Sequence, residues 1–472
     1  MFWIVSRKEL MHLVRDRWLG LGLGLFVSLV IALLLVGIGN TRSLIRIQLA
    51  KQSQARNEWL NQDSTTGHSA THFGTTLYKL PHPLFAFDAG SDRNLGTAVR
   101  IESHRPLPAT DPIAVGSVHP LHFDVSTPAI LLHLVCPLIV ILLTFASVTK
   151  DRELGILPLV MSTGVPWQHL MLAKMLKVIV VTCLLIVVPL VSVGCFALLA
   201  ANDVGMDHAD LAQRLLMIGL FSLLFLSGWG FLSLVVSARA ETSTSSLLTL
   251  LTIWTFMCII IPRIAVELAY QKNPLPEASD LDQTREELAQ FGHEGRSILE
   301  KLRVEVDEVY KKQFDVKSVE EIPLKMTAVY LTAVEDFSDQ VYDEQIRELE
   351  SRLNAQDQFI HSVSFASPYM AIRSISTALC CTDRMHHQAF YAATERHRRI
   401  LVRTMNDYDA RNVARLKPDS DVWSSVPPFV FSFQTLSGSL SGHAISSSIL
   451  VAWFTLTGIA ALRKPKLLQK RR

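Results

Sequence analysis

Charge is missing from six stretches of this 472-residue chain. Residues 18–41, 125–149, 178–202, 215–238, 242–262 and 422–462 contain no Asp, Glu, Lys or Arg, so all 88 of these side chains fall on the other 312 residues. The net charge of +2 and the 49% hydrophobic content, taken as averages, hide this segregation. The hydrocarbon core of a bilayer is about 30 Å thick and offers backbone groups no water, so a crossing helix needs roughly 20 mostly apolar residues. The shortest run has 21 residues, and the pattern predicts a mainly α, polytopic membrane protein with six spans. The first run exceeds the apolar core of roughly 7 to 15 residues in a cleaved signal peptide, so it is expected to stay as an anchor.

Other absences narrow the chemistry. There is no GxxxxGK[ST] phosphate loop, the dipeptide Gly-Lys never occurs, and neither HExxH nor GxSxG is present. The commonest signatures of a nucleotidase, a zinc protease and a serine hydrolase are therefore missing. Cysteine is sparse. Cys136, Cys183, Cys195 and Cys258 lie in uncharged runs as small packing residues, while Cys380 and Cys381 are expected to be two thiols or an unusual disulfide, since a zinc site needs more ligands nearby.

Lysine and arginine next to spans set their orientation. With the N-terminus inside, the inner segments carry 15 basic and five acidic residues, and the outer ones 28 and 38; Arg214 and Arg263 sit at outer span ends. Both termini then lie in the cytoplasm. The inner segments total about 65 residues split four ways, too few for a catalytic domain of roughly 100 residues.

The boundaries read as an amphipathic interface helix at 1–17, spans at 18–39, 128–149, 170–201, 211–237, 243–266 and 443–462, and a basic tail at 463–472. A short inner helix covers 150–169. The segment 40–127 opens with RSLIRIQLAKQSQARNEWL, which continues span one, and becomes loop-rich around Pro81, Pro83, Pro106, Pro108, Pro112 and Pro120. The segment 267–441 is a helical domain, with amphipathic periods over 281–312 and 326–360, a turn near Pro323 and a third helix over 383–414, and Pro427-Pro428-Phe429 is expected to end its folded part. Residues 429–442 lie at the interface or re-enter the membrane.

Three sets of side chains invite functional readings. LSGSLSG at 436–442 superficially resembles an ATPase signature but has no phosphate loop to serve. Asp383 and His387, and likewise His68 and His72, are one helical turn apart, but neither pair has an evident third ligand. The bland reading of His386 and its neighbours is a solvated or hydrogen-bonded cluster. Gly20, Gly22 and Gly24 suit close helix packing, and Arg214 and Arg263 suit interfacial anchoring.

The stretch FASVTKDRELGILPLVMSTGVPWQHLMLAKMLKVIVV, from Phe145 to Val181, is more specific. Phe145, Arg152-Glu153, Gly155-Ile156-Leu157, the turn from Thr163 to Trp167 and Ala173-Lys174 follow the order found in permease subunits of ABC-2 type transporters. Pro158 departs from that pattern. The N-terminal WIVSRKELMHLVRDRW and the junction SLVVSARAETSTSSLLTLLTIW are similar to corresponding parts of the family, and Ser367 to Asn406 with VWSSVPPFVF resembles a subgroup with a large extracytoplasmic domain.

The resemblance implies an ABC-2 type exporter fold and a non-catalytic permease in a bacterial inner membrane. It implies a second permease subunit, identical or sister, surrounding lipid, and a separate cytoplasmic ABC ATPase dimer that binds ATP and Mg. Segment 151–168 would be the coupling helix, with Leu154, Leu157 and Met161 as apolar contacts, Arg152 and Glu153 as polar ones, and Gly155 in the turn. The Arg-Glu pair could equally cap and orient the helix. No cofactor, metal or catalytic residue is assigned to this chain and no nucleic acid is expected, while an envelope partner is expected for the acidic outer domain. A second reading is a complex that transmits ATP-driven motion without passing a substrate, and the least supported third is a membrane metalloenzyme built on the outer histidines.

Overall fold

A computed structural model describes residues 2–15, 17–93, 95–104, 127–275, 298–413 and 420–465. Pro106, Pro108, Pro112 and Pro120, the first part of the helix expected over 281–312 and most of the basic tail lie outside the described residues. Among those described, six helices are long and apolar enough to cross a membrane: Gly24–Leu60, Pro128–Glu153, Trp167–Val204, His208–Arg239, Ser243–Lys272 and Ala444–Leu462, here spans one to six. Span one belongs to an unbroken helix, Arg17–Leu60, whose polar second half projects beyond the bundle as the sequence pattern requires. Helix Phe2–Arg15 precedes it. The span ends near residues 2–15, 145–167 and 239–243 form the basic side; the other ends form the domain side.

Spans two and five share a device. Pro137 and Pro262 lack an N–H, and each ring crowds the carbonyl four residues back, a conflict that breaks regular helices. In both spans a wider π turn immediately precedes the proline, Leu131–Val135 in one and Phe256–Ile260 in the other. Trp254 Nε1 donates to Leu134 O in the first turn, and Ser367 Oγ donates to Met257 O in the second. Each widened turn is thus held by a side chain from another element.

Span four is the axis against which spans two, three and six pack. Its Gly228 admits the Trp453 indole of span six, since a Cβ there would lie 2.1 Å from Trp453 Nε1. Gly230 does the same for Val178 of span three, at 2.3 Å. Gly24, expected to permit close packing, instead has nothing within 4 Å of a built Cβ, so its face is open within this chain.

On the domain side, the two segments that the sequence separates by 139 residues form one assembly. Strands β1, Thr75–Tyr78, and β2, Ala98–Ile101, pair antiparallel with Thr75 opposite Ile101. Helix Gly67–Phe73 seats its N-terminus on Asp409, whose carboxylate accepts from the Gly67 and His68 amides at 2.8 Å each. Trp59 Nε1 donates to Trp423 O at 2.9 Å. Helices Ile298–Phe314 and Met326–Val363 form the hairpin expected around Pro323, Val306 and Tyr310 packing on Ala328 and Val329. The third expected helix is Arg384–Arg411, capped by Asp383.

This assembly is rooted in the bundle. Tyr369, Ile372, Ile375 and Leu379 of helix Pro368–Leu379 share one apolar core with spans two, three, four and six. Arg214 of span four is fully buried; its guanidinium bonds Asp210 and donates to Leu379 O at 3.1 Å, Ser439 Oγ at 3.3 Å and Gln434 O at 2.5 Å. It therefore does not snorkel to an interface but ties the segment before span six, with its short helix Leu436–Ser441, to span four. Arg263 is exposed. Nearby, Asp88 is fully buried with a two-pronged bond from Arg373 at 2.7 and 3.1 Å.

Overpacking a tight core contact costs about 1–3 kcal/mol. Gly228→Val should lower the unfolding temperature of the purified protein in detergent, and Gly24→Val should leave it near wild type. Equal effects would show that the Trp453 contact does not govern packing of spans four and six.

Candidate functional site

The stretch after span two folds as two short helices rather than one. Thr149–Glu153 ends at Leu154, Gly155 takes a left-handed conformation with φ of 70°, and Ile156–Ser162 follows at a new angle. A side chain at 155 would strain that backbone. Pro158 falls in the first turn of the second helix, where an amide has no intrahelical partner to lose, so its departure from the family pattern carries no structural penalty. Gly164, φ 79°, turns the chain into span three.

Arg152 and Glu153 act on neighbouring helices. Arg152 donates to Ala240 O and Ala238 O at 2.5 and 2.6 Å, covering carbonyls at the C-terminal end of span four. Glu153 accepts from Ser243 N at 2.6 Å and Ser243 Oγ at 2.9 Å, covering the N-terminal end of span five. A cation at a helix C-terminus and an anion at a helix N-terminus each match the local dipole. The pair therefore clasps the turn between spans four and five. Ser237 adds to the clasp, its Oγ accepting from Val148 N and Thr149 N at 3.0 and 3.2 Å.

The apolar residues divide. Leu157 is 2% exposed and belongs to a small core with Val148, Trp167, Leu170, Met171 and Ala238, and Met161 packs against the same core. Leu157, expected as a partner contact, instead holds the second short helix to its own chain, because the helix turns that face inward. Leu154 is 63% exposed and Leu159, an apolar residue of the same piece that is not among the expected contacts, is 67% exposed. Gly155 is also exposed, with open space around it. These residues present an apolar surface at the tip of the basic side.

Lys174 fixes the base of this tip. It is 3% exposed, and its Nζ donates to Glu9 Oε1 at 2.8 Å, Asp151 Oδ2 at 3.0 Å and Ser147 O at 2.7 Å. One ammonium thus joins the N-terminal helix, the first short helix and span three. Burial works against ionisation of Glu9, but the Lys174 charge and hydrogen bond, aided by Lys177 and Lys8, outweigh it and hold its carboxyl below the usual range.

The other candidates fall elsewhere. Asp383 bonds His386 Nδ1 at 2.5 Å and faces His443 Nε2 at 3.4 Å, while His387 turns toward Asp92, so Asp383 and His387 share no ligand position. Against the pull of burial, the Asp383 carboxylate pushes His386 up to about 10, making this a charged structural pair. Ser439 of LSGSLSG bonds both Arg214 and His386. Cys380 and Cys381 are free, buried thiols. His68 and His72 acquire a neighbour that spacing could not reveal, His104. A cavity of about 720 Å³ opens between the end of span five and helices Met326–Val363 and Arg384–Arg411, its lining mixing Tyr270, Leu349 and Leu353 with Arg373, Arg399 and Glu350.

A family model described as ABC-2 family transporter protein matches residues 3–394, from the N-terminal helix into helix Arg384–Arg411. No curated protein matches the chain.

Removing one partner of a buried charge network costs about 3–5 kcal/mol, because it strands the others. Lys174→Met should therefore destabilise the protein markedly in thermal unfolding. The depressed Glu9 carboxyl contributes stability that is present above the unfolded value, roughly 4.3, and is lost as pH falls through the lower folded value. Glu9→Gln should reduce stability at pH 7 and flatten that acid-side decline; an unchanged decline would remove Glu9 as its source.

Proposed function

The chain belongs to the ABC-2 transporter family, and from that premise we propose that it is a permease subunit driven through its basic side by separate ATPase subunits. The supporting observation is the tip at Leu154–Leu159: an exposed apolar surface on two short helices, braced from behind by Arg152, Glu153 and Lys174. A rigid insert of this kind converts movement of a docked ATPase into movement of the spans, since packed elements move as bodies. The partner holds ATP and Mg; the permease supplies the lever and is not itself an enzyme. In this reading the basic side faces the cytoplasm, in keeping with the lysine and arginine bias, and both termini lie there in a bacterial inner membrane.

The clasp refines the division of labour. Arg152 and Glu153 transmit motion into the ends of spans four and five, and Leu154 and Leu159 meet the ATPase. Spans one and five, whose apolar windows are only 22% and 17% buried in this chain, are the faces for lipid and for the second permease subunit. The mixed lining of the domain-side cavity suits an amphipathic molecule leaving the membrane, in keeping with export.

One observation favours force transmission without passage: the domain-side assembly shares its core with the spans and is pinned by Arg214, so movement of span four carries the domain with it.

Leu154→Asp combined with Leu159→Asp should abolish co-purification with the ATPase while leaving the unfolding temperature of the permease unchanged. Glu153→Lys should lower both, through the end of span five. Normal ATPase recovery with the double aspartate variant would remove the tip as the docking surface. Deleting residues 298–360 with transport intact would remove the domain-side helices from the mechanism.

A further inference from the structure

Three histidines from two parts of the chain meet beside helix Gly67–Phe73. His68 and His72 lie one turn apart on that helix and project from the same face. Beyond β2 the chain turns at Ser103 and His104, and His104 adopts a left-handed backbone with φ of 58°. Such a conformation is uncommon outside glycine, costs energy and is typically kept at functional sites. Here two bonds to Glu335 hold it, from the His104 amide at 2.9 Å and from His104 Nδ1 at 2.6 Å.

The ring nitrogens sort into two sets. Every Nδ1 faces an oxygen: His68 toward Asn406 Oδ1 at 3.2 Å, His72 toward Ser103 Oγ at 3.4 Å and His104 toward Glu335 Oε1. The Nε2 atoms face one another, 3.2 Å between His72 and His68 and 3.4 Å between His104 and His68. An Nδ1–H donated to an amide or carboxylate oxygen fixes the tautomer and leaves the Nε2 lone pair free. Each of the three rings brings one ligating nitrogen within 4.8 Å of the others, so a single cation can be held between them. Zinc–nitrogen bonds of about 2.0–2.1 Å in a tetrahedron separate neighbouring nitrogens by about 3.3–3.4 Å, close to the two spacings around His68.

We propose that His68, His72 and His104 bind one zinc-class divalent ion through their Nε2 atoms, with Glu335, Asn406 and Ser103 as the orienting shell and a fourth position open to solvent. Imidazole nitrogens suit zinc and its first-row neighbours, whereas magnesium and calcium select oxygen ligands. His386, kept charged by Asp383, is unsuited to this role. The fourth position is available to water or to an exogenous donor such as a carboxylate or thiolate. Through Glu335 and Asn406 the ion would also join helix Gly67–Phe73 to helices Met326–Val363 and Arg384–Arg411.

The test uses the full-length protein, carrying an affinity tag without histidine, in detergent and stripped with chelator. Zinc titration followed calorimetrically should show one tight equivalent that is lost in His72→Gln and in His104→Gln. Cobalt should give the intense visible spectrum of a tetrahedral ion in the wild type and not in the variants. His72 is exposed and, among the described residues, its ring hydrogen-bonds only Ser103 and His68, so His72→Gln should unfold at the wild-type temperature without metal and should lack the rise that zinc gives the wild type. A weak octahedral cobalt spectrum in the wild type would overturn the proposal, as would equal zinc uptake by wild type and His72→Gln.

Discussion

Hydrocarbon offers a peptide group no hydrogen bond, and this prohibition governs how every span begins, bends and ends. A helix entering or leaving the membrane must have its terminal carbonyls and amides answered by something other than bulk water. In this chain, long charged side chains give many of the answers. Arg152 covers the last carbonyls of span four, Glu153 the first amide of span five, and Arg214 the carbonyls of Leu379 and Gln434 where the chain comes back toward the bundle. The π turns before Pro137 and Pro262 meet the same demand inside the spans. The charges that the sequence withholds from the spans reappear at their ends as structural elements.

The basic-side tip proposed as a lever is built for stiffness. An exposed loop would dissipate a push, but this one is clasped to two helix ends and to a buried ammonium. In the proposed function the residues that couple and the residues that dock are therefore different, although they alternate within a few positions of sequence. Span four connects the two sides: one end is held by Arg152, and Arg214 near the other holds the domain.

What the sequence made legible follows from the range of each signal. Exclusion of charge over 20 residues, the continuation of span one to Leu60, the hairpin at Pro323 and the helix starting after Asp383 are all local patterns, and they survive in the structure. The order of residues around Arg152-Glu153 also identified the family. The break at Gly155 was harder, because only the sign of φ separates a turn from a helix interruption. The bonds of Arg152 to Ala238 and Ala240, and the meeting of His104 with His68, are contacts between segments that share no period, so no spacing rule reaches them. Leu157 was misdirected for a related reason: on a helix of seven residues, periodicity marks an apolar face but not whether that face looks inward or outward.

The seat of helix Gly67–Phe73 on Asp409 also bears on how the molecule is made. Thr66 caps this helix locally, but the Gly67 and His68 amides lack their acceptor until residue 409 has been synthesised, by which time five spans have been made. The same holds for Trp59 and its acceptor at Trp423. Early residues of the domain must therefore wait, beyond the membrane and incompletely bonded, for most of the chain to be threaded. Assembly runs from the bundle outward and closes with the last helices, so truncation late in the chain would undo structure near its beginning.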